Sequence, residues 1–291
     1  MNLSLLIPPT NIFGNYFIIV KKSDNTFSEN MFTCHLDTVS NTYDYSINVK
    51  HVIKEDFIKT DGYSNLGADD KAGMVIMLNM ITENVPGLYY FFIGEEVGRI
   101  GSSNMALAYP TLVKENKLPS IKRCISFDRK GYDLVTTKQM HTICCSDEFA
   151  NKLSKELNEY GFWYKPDDHG GRTDSHQFID LIPECTNLSV GYFNEHTSTE
   201  IQDIEFLELL SLAVLKIDWD TLPIKRKIIP KSVIMTPHRH KDNTTNSSVI
   251  IPSSSGNTPN RIVTTTSIDL STDAEFDAWY NEQKIKNIVF G

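Results

Sequence analysis

Apolar positions along the chain fall into short β-branched or aromatic runs that alternate with longer segments of helical spacing. Residues 15–21 (NYFIIVK) and 30–35 (NMFTCH) flank the polar turn SDNTFSE and predict two paired strands. Residues 74–81 (MVIMLNMI) are apolar nearly all round, which predicts a buried helix lying against a sheet. The uninterrupted run 88–93 (LYYFFI) reads as a strand covered on both faces. Residues 121–127 (IKRCISF), 132–136, 140–144 and 186–190 read as further strands. Helices are expected over 102–116, kinked or broken at Pro110, over 146–160, closed by Gly161, and over 204–217. Strands alternating with helices, with polar residues repeatedly placed just after a strand, describe an α/β sheet whose site lies along one edge.

Beyond Leu222 the pattern changes. Residues 225–241 hold six basic residues and no acid, whereas 242–291 sum to −3, which leaves −12 on the first 224 residues. Residues 1–222 are therefore expected to form the catalytic domain. Residues 223–267 read as a linker, first basic and then rich in Ser, Thr and Asn. Thr272 and Glu275 form a capping-box pattern ahead of Phe276, Trp279 and Tyr280, so 268–291 read as a short terminal helix or docking peptide. The charge contrast offers the tail its own domain, or a protein partner, as a docking surface.

Composition narrows the class. With 40% hydrophobic and 22% charged residues the chain can bury a sizeable core, and a net charge of −9 argues against a nucleic-acid partner. Cys34, Cys124, Cys144, Cys145 and Cys185 are odd in number and include no Cys-x-x-Cys pair, which predicts buried reduced thiols. The opening MNLSLLIPPTNIFGN lacks a basic segment, and prolines interrupt its apolar run. Neither a signal peptide nor a membrane span is expected, and a cytoplasmic location follows.

The chemistry is carried by an ordered set: His35-x-Asp37, Asp69-Asp70, Glu95-Glu96, Asp128 and His196. Each member lies at the end of an expected strand or in the turn after it. Residues i and i+2 of an extended segment share a side, so His35 and Asp37 can meet at one locus. Adjacent acids such as Asp69-Asp70, and acids at the end of a buried strand such as Glu95-Glu96, are costly without a nearby positive charge. Histidine and carboxylate are the ligands zinc takes in hydrolytic sites. One bridging carboxylate with two ligands on each side would hold two ions about 3.5–4 Å apart. Cobalt or manganese suits the same donors.

At this point the chain resembles the co-catalytic di-zinc exopeptidases, the group that includes peptidase T, the glutamyl-type aminopeptidases and the lid-less leucyl-type aminopeptidases. The matching segments are HLDTV, TDGYSNLGADDKAG, GEEVGRIGS, SFDRKG and NEHTSTE, spread over roughly residues 31–200. The resemblance implies a three-layer fold, a mixed β-sheet flanked by helices of the phosphorylase/hydrolase-like kind. It implies two zinc ions, one on His35 and Asp128 and the other on Glu96 and His196, with Asp69 bridging and a cis bond between Asp69 and Asp70. Asp37 would orient His35, and Glu95 would be the general base that carries a proton from the attacking water to the leaving amine. Peptidase T and its relatives insert a lid domain between the last aspartate and histidine ligands. Here 67 residues separate Asp128 from His196, so no lid domain is expected. Oxyanion or substrate contacts must then come from within the domain, with Arg172, His176 and Tyr192 as candidates; RTDSHQF resembles a segment of the lid-less relatives.

The expected activity is that of an aminopeptidase, hydrolysing N-terminal peptide bonds with a two-metal activated water. An amidohydrolase or deacylase acting on small N-acyl substrates is the alternative, since one metal site serves both, and a silent binding protein is disfavoured because every ligand position is filled. Ser175-His176 beside Asp174 is not a nucleophile triad, and no G-x-S-x-G elbow is present.

Overall fold

The computed structural model describes residues 14–39 and 49–228, together with the backbone of 263–264. In chain order, β1 (Tyr16–Val20), β2 (Asn30–His35) and β3 (Thr38–Val39) precede the hairpin β4 (His51–Lys54) and β5 (Phe57–Thr60). Next come α1 (Ala68–Thr82), β6 (Gly87–Phe92), α2 (Ile100–Lys114) and β7 (Arg123–Arg129). They are followed by β8 (Leu134–Thr136), β9 (Lys138–Gln139), β10 (Thr142–Ile143), α3 (Asp147–Asn158) and β11 (Lys165–Asp167). After these lie β12 (Glu184–Ser189), β13 (Tyr192–Phe193), β14 (Ile201–Asp203) and α4 (Ile204–Ala213), and β15 (Val263–Thr264) pairs antiparallel with β3. Apart from 223–228 and 263–264, the expected linker and terminal helix lie outside the described residues.

Seven strands make one mixed sheet in the order β1-β6-β2-β7-β12-β8-β11. The expected pairing of the first two strands does not form. β6 lies between them, antiparallel to β1 and parallel to β2. All six residues of β6 are buried, so it belongs inside the sheet, and the polar turn after β1 only carries the chain past it. The parallel strands β6, β2, β7 and β12 therefore share one C-terminal edge.

Period-2 alternation sorts the core into two layers. Phe32, Cys34, Tyr89, Phe91, Ile125 and Phe127 pack on one face with Ile76, Met77 and Met80 of α1, Leu153 of α3 and Leu210 of α4. Met31, Leu88, Tyr90, Phe92 and Cys124 point the other way, against Met105 and Tyr109 of α2 and Phe178. Helices thus cover both faces, which is a three-layer α/β arrangement. All five cysteines are free and buried. No helix among the described residues is long and apolar enough to cross a membrane.

Local departures from the expected elements have simple causes. α2 runs through Pro110, which sits on the exposed side of the helix. The last helix stops at Ala213 and tightens into a 3-10 turn over Val214–Lys216. β4, β5, β13 and β14 build a second sheet that the hydrophobic pattern did not mark, because β4 is exposed at all four positions. Residues 129–195 build β8–β13, α3 and a short 3-10 turn, Asp174–Phe178, with no added lid domain.

α1 must approach β7 closely to deliver its first turn to the site. Gly73 permits this, since a Cβ there would meet the Phe127 carbonyl oxygen at 2.5 Å and Asp70 Oδ1 at 2.6 Å. Gly73→Ala is expected to cost about 1–3 kcal/mol of stability through overpacking. Chemical denaturation would read this as a lower midpoint, and an unchanged midpoint would mean that α1 and β7 are not held this tightly.

Candidate metal centre

The C-terminal sheet edge gathers the chemistry. His35 ends β2 and Asp128 stands next to last in β7. β6 continues through Gly94, whose φ of 68° allows the sharp turn into Glu95-Glu96. The non-helical first residues of α1 supply Asp69 and Asp70, joined by a cis peptide bond. His196 comes from the loop between β13 and β14.

Asp69 sits between two groups. Its Oδ1 lies 2.9 Å from His35 Nε2, which is also 3.5 Å from Asp128 Oδ1. Its Oδ2 lies 3.1 Å from His196 Nε2, which is 2.7 Å from Glu96 Oε1. One carboxylate therefore faces a histidine and an acid on each side. Ligand atoms of His35, Asp69 and Glu96 all fall within 4.8 Å of one another, as do those of His35, Asp70 and Asp128. Glu96 Oε1 is buried, with the His196 imidazole 2.7 Å away. A buried acceptor so placed, in a set made only of imidazoles and carboxylates, fits zinc-type coordination.

The neighbouring acids are fasteners. Asp37 Oδ1 and Oδ2 accept from the backbone N–H of Glu95 and Glu96, each at 3.1 Å, and so hold the turn that presents both glutamates. Asp37 meets the imidazole of His35 through its main-chain carbonyl, 2.9 Å from Nδ1, while its carboxylate lies 3.8 Å away. Asp70 accepts from the N–H of His35 and of Gly73, each at 3.1 Å, tying α1 to the end of β2.

Among the candidate substrate contacts, Tyr192 donates to Asp128 Oδ1 at 3.2 Å. Arg172 is exposed, and His176 is half-buried in the turn Asp174–Phe178. Thr173 was missed by the sequence reasoning: its hydroxyl donates to Asp128 Oδ2. Asn187 was missed as well, and its side chain binds both the N–H and the carbonyl of Asp128. Arg99, whose guanidinium lies 3.5 Å from Glu95 Oε1, is a third. For Thr173 the one available signal was its place at the head of the Thr-Asp-Ser-His run within RTDSHQF.

Crowded acids and imidazoles shift one another. Burial opposes charge on His35, but Asp128 and Asp69 hold its pKa well above the usual value. Hydrogen bonds donated to Asp69 and Glu96 raise His196 to about 10. Burial works against ionised Asp69, yet His196 and His35 keep its carboxyl well below the usual range. Burial, then Asp128 and Asp174, push Glu95 up to about 9. Burial also raises Asp128, and raises Asp174 to about 7.

No protein-family model matches the chain. A 96-residue segment is 40% identical to the uncharacterised protein YqjE of Bacillus subtilis, covering 31% of this chain and 24% of that one. The aminopeptidase PepT of Bacillus cereus superposes with a TM-score of 0.54 at 16% identity, over 69% of this chain and 83% of that one. A tripeptidase of Staphylococcus aureus superposes with a TM-score of 0.54 at 18% identity, over 69% and 82%. Over the superposed part the chain shares the fold of these two peptidases.

Histidines bind metal only as neutral imidazoles, so zinc added to the metal-free protein is expected to release protons. His196 stays charged up to about pH 10, and zinc affinity should therefore rise with pH between about 6 and 9. Its ion pairing should stabilise the metal-free fold fully below about pH 6.5, and that contribution is lost as pH rises through its folded value. Calorimetry in buffers of different protonation enthalpy checks the release; buffer-independent heats with a pH-independent affinity would contradict it.

Proposed function

We propose that the protein is a zinc-dependent exopeptidase, an aminopeptidase that hydrolyses N-terminal peptide bonds. The observation that carries this reading is Asp69, with one oxygen toward His35 and Asp128 and the other toward His196 and Glu96. Two zinc ions held by these five residues would supply Lewis acidity for a scissile carbonyl and lower the pKa of a water.

Glu95 is the general base in this reading. It stands on the same turn as Glu96 and is fixed by the Asp37 bond to its N–H. Its carboxyl takes a proton from the attacking water and returns it to the leaving amine. Even with the Arg99 guanidinium 3.5 Å away, burial and then Asp128 and Asp174 hold Glu95 at about 9, protonated at neutral pH. Cations on the five neighbours would bring it back to the ionised form that a base requires. The surplus of carboxylates around the cluster suits a substrate ammonium group. Arg172, His176 and Tyr192, the last also donating to Asp128, are the in-domain candidates for contacting a developing oxyanion or the peptide itself.

Glu95→Gln is expected to lower turnover by about 10²–10⁴-fold, the range that general-base catalysis commands, while two zinc per chain stay bound. Turnover of a peptide library with free and blocked N-termini, combined with metal analysis, checks this. Undiminished turnover in the variant overturns the role of Glu95, and hydrolysis confined to blocked substrates would replace the aminopeptidase with a deacylase.

A further inference from the structure

One carboxylate near the centre is neither a ligand nor a base in the scheme above. Glu200 is 1% exposed, and its side chain reaches across 131–133 residues of sequence to the entrance of α1. Oε2 accepts from the N–H of Gly67 at 2.8 Å and Oε1 from the N–H of Asp69 at 3.0 Å.

The entrance of α1 needs such a partner. Gly67, at the N-cap, is left-handed with φ of 73° and offers no side chain to bond the first N–H groups. An anion set against those groups is favoured by charge-assisted bonds. Glu200 therefore caps α1 from a distant segment, and the N–H it holds at Oε1 belongs to Asp69 itself.

The same segment carries the other half of the site. His196 lies four residues before Glu200, and the stretch between them is braced by Thr197 Oγ1, which donates to the Asn194 carbonyl at 2.7 Å and accepts from the N–H of Thr199 at 3.2 Å. Two bonds from one carboxylate thus tie the Asp69 backbone to the loop that presents His196. Asp70 makes the corresponding tie to His35. Loosening Glu200 would let Asp69 move relative to His196, and because Asp69 faces both halves, each half would lose a well-placed oxygen.

We propose that Glu200 is a positioning residue that sets the zinc affinity of both halves of the centre, by bonding the Gly67 and Asp69 N–H groups from the loop that carries His196. This rests on the reading of the five residues as a zinc centre. Glu200→Gln keeps the shape but turns an amide N–H₂ toward one of the backbone N–H groups. Zinc titration of the metal-free full-length chain, against a chromophoric chelator, should show two equivalents for the wild type. Both affinities should fall by about 10–100-fold in the Gln variant, as for other groups that orient ligands. His196→Ala should weaken one equivalent much more than the other. A cap with only a structural role would lower the melting temperature of the metal-free protein and leave both affinities alone. Two equivalents bound with wild-type affinity by Glu200→Gln overturn the proposal while the zinc centre stands. Failure of the wild type to bind zinc overturns both. If the Gln variant does not fold, Glu200→Asp carries the test: one methylene shorter, it cannot hold both N–H groups, and unchanged affinities there overturn the proposal equally.

Discussion

Buried carboxylates repel one another, and this site collects many of them beside two imidazoles. The structure handles the repulsion by giving some acids main-chain N–H groups and leaving others facing the histidines. Asp37 takes the N–H groups of Glu95 and Glu96, Asp70 those of His35 and Gly73, and Glu200 those of Gly67 and Asp69. Each of the three closes over two donors, and each joins different pieces of chain. Together they link the turn after β6, the end of β2, the start of α1 and the loop of His196 into one frame. Asp69, Glu96 and Asp128 face the imidazoles, an arrangement whose repulsion would favour cations.

The frame depends on the sheet behind it. Parallel strands end along one edge, and the loops leaving that edge are short, so residues far apart in sequence arrive at the same place. The two core layers, sorted by alternation along β2, β6 and β7, hold those strand ends from both sides. α1 has the most constrained position, pressed against β7 at Gly73 while its first turn enters the site.

The parts that were legible in the sequence have a local signature. Apolar runs marked β2, β6, β7 and the long helices, and the histidines and acids that follow those runs stood out as a set. Pairing was not legible in the same way. β1 and β2 are neighbours in sequence but not in the sheet, because a wholly buried strand outcompetes a polar turn for the interior place. The hairpin β4–β5 escaped because a strand exposed at all four positions of β4 looks like surface loop. Thr173, Asn187 and Glu200 escaped for another reason: a side chain that bonds another acid or a remote N–H leaves no periodicity, and its partner lies dozens of residues away. Asp37 was expected to orient His35; it meets the imidazole through its carbonyl while its carboxylate stands 3.8 Å away, a distinction that only backbone geometry can make.

The far edge of the sheet also bears on the site. Glu184, at the start of β12, is fully buried and accepts from the N–H groups of Ser146, Lys225 and Arg226. The guanidinium of Arg226 donates to the carbonyls of Ile179, Ile182 and Pro183. The chain is thereby anchored at the edge opposite the acids, whereas Val263–Thr264 pair with β3, which begins directly after Asp37. Thirty-six residues join Arg226 to Val263, and a six-residue strand spans only about 20 Å. A peptide that lay along β3 would have to take the hydrogen-bonding edge that Val263–Thr264 occupy.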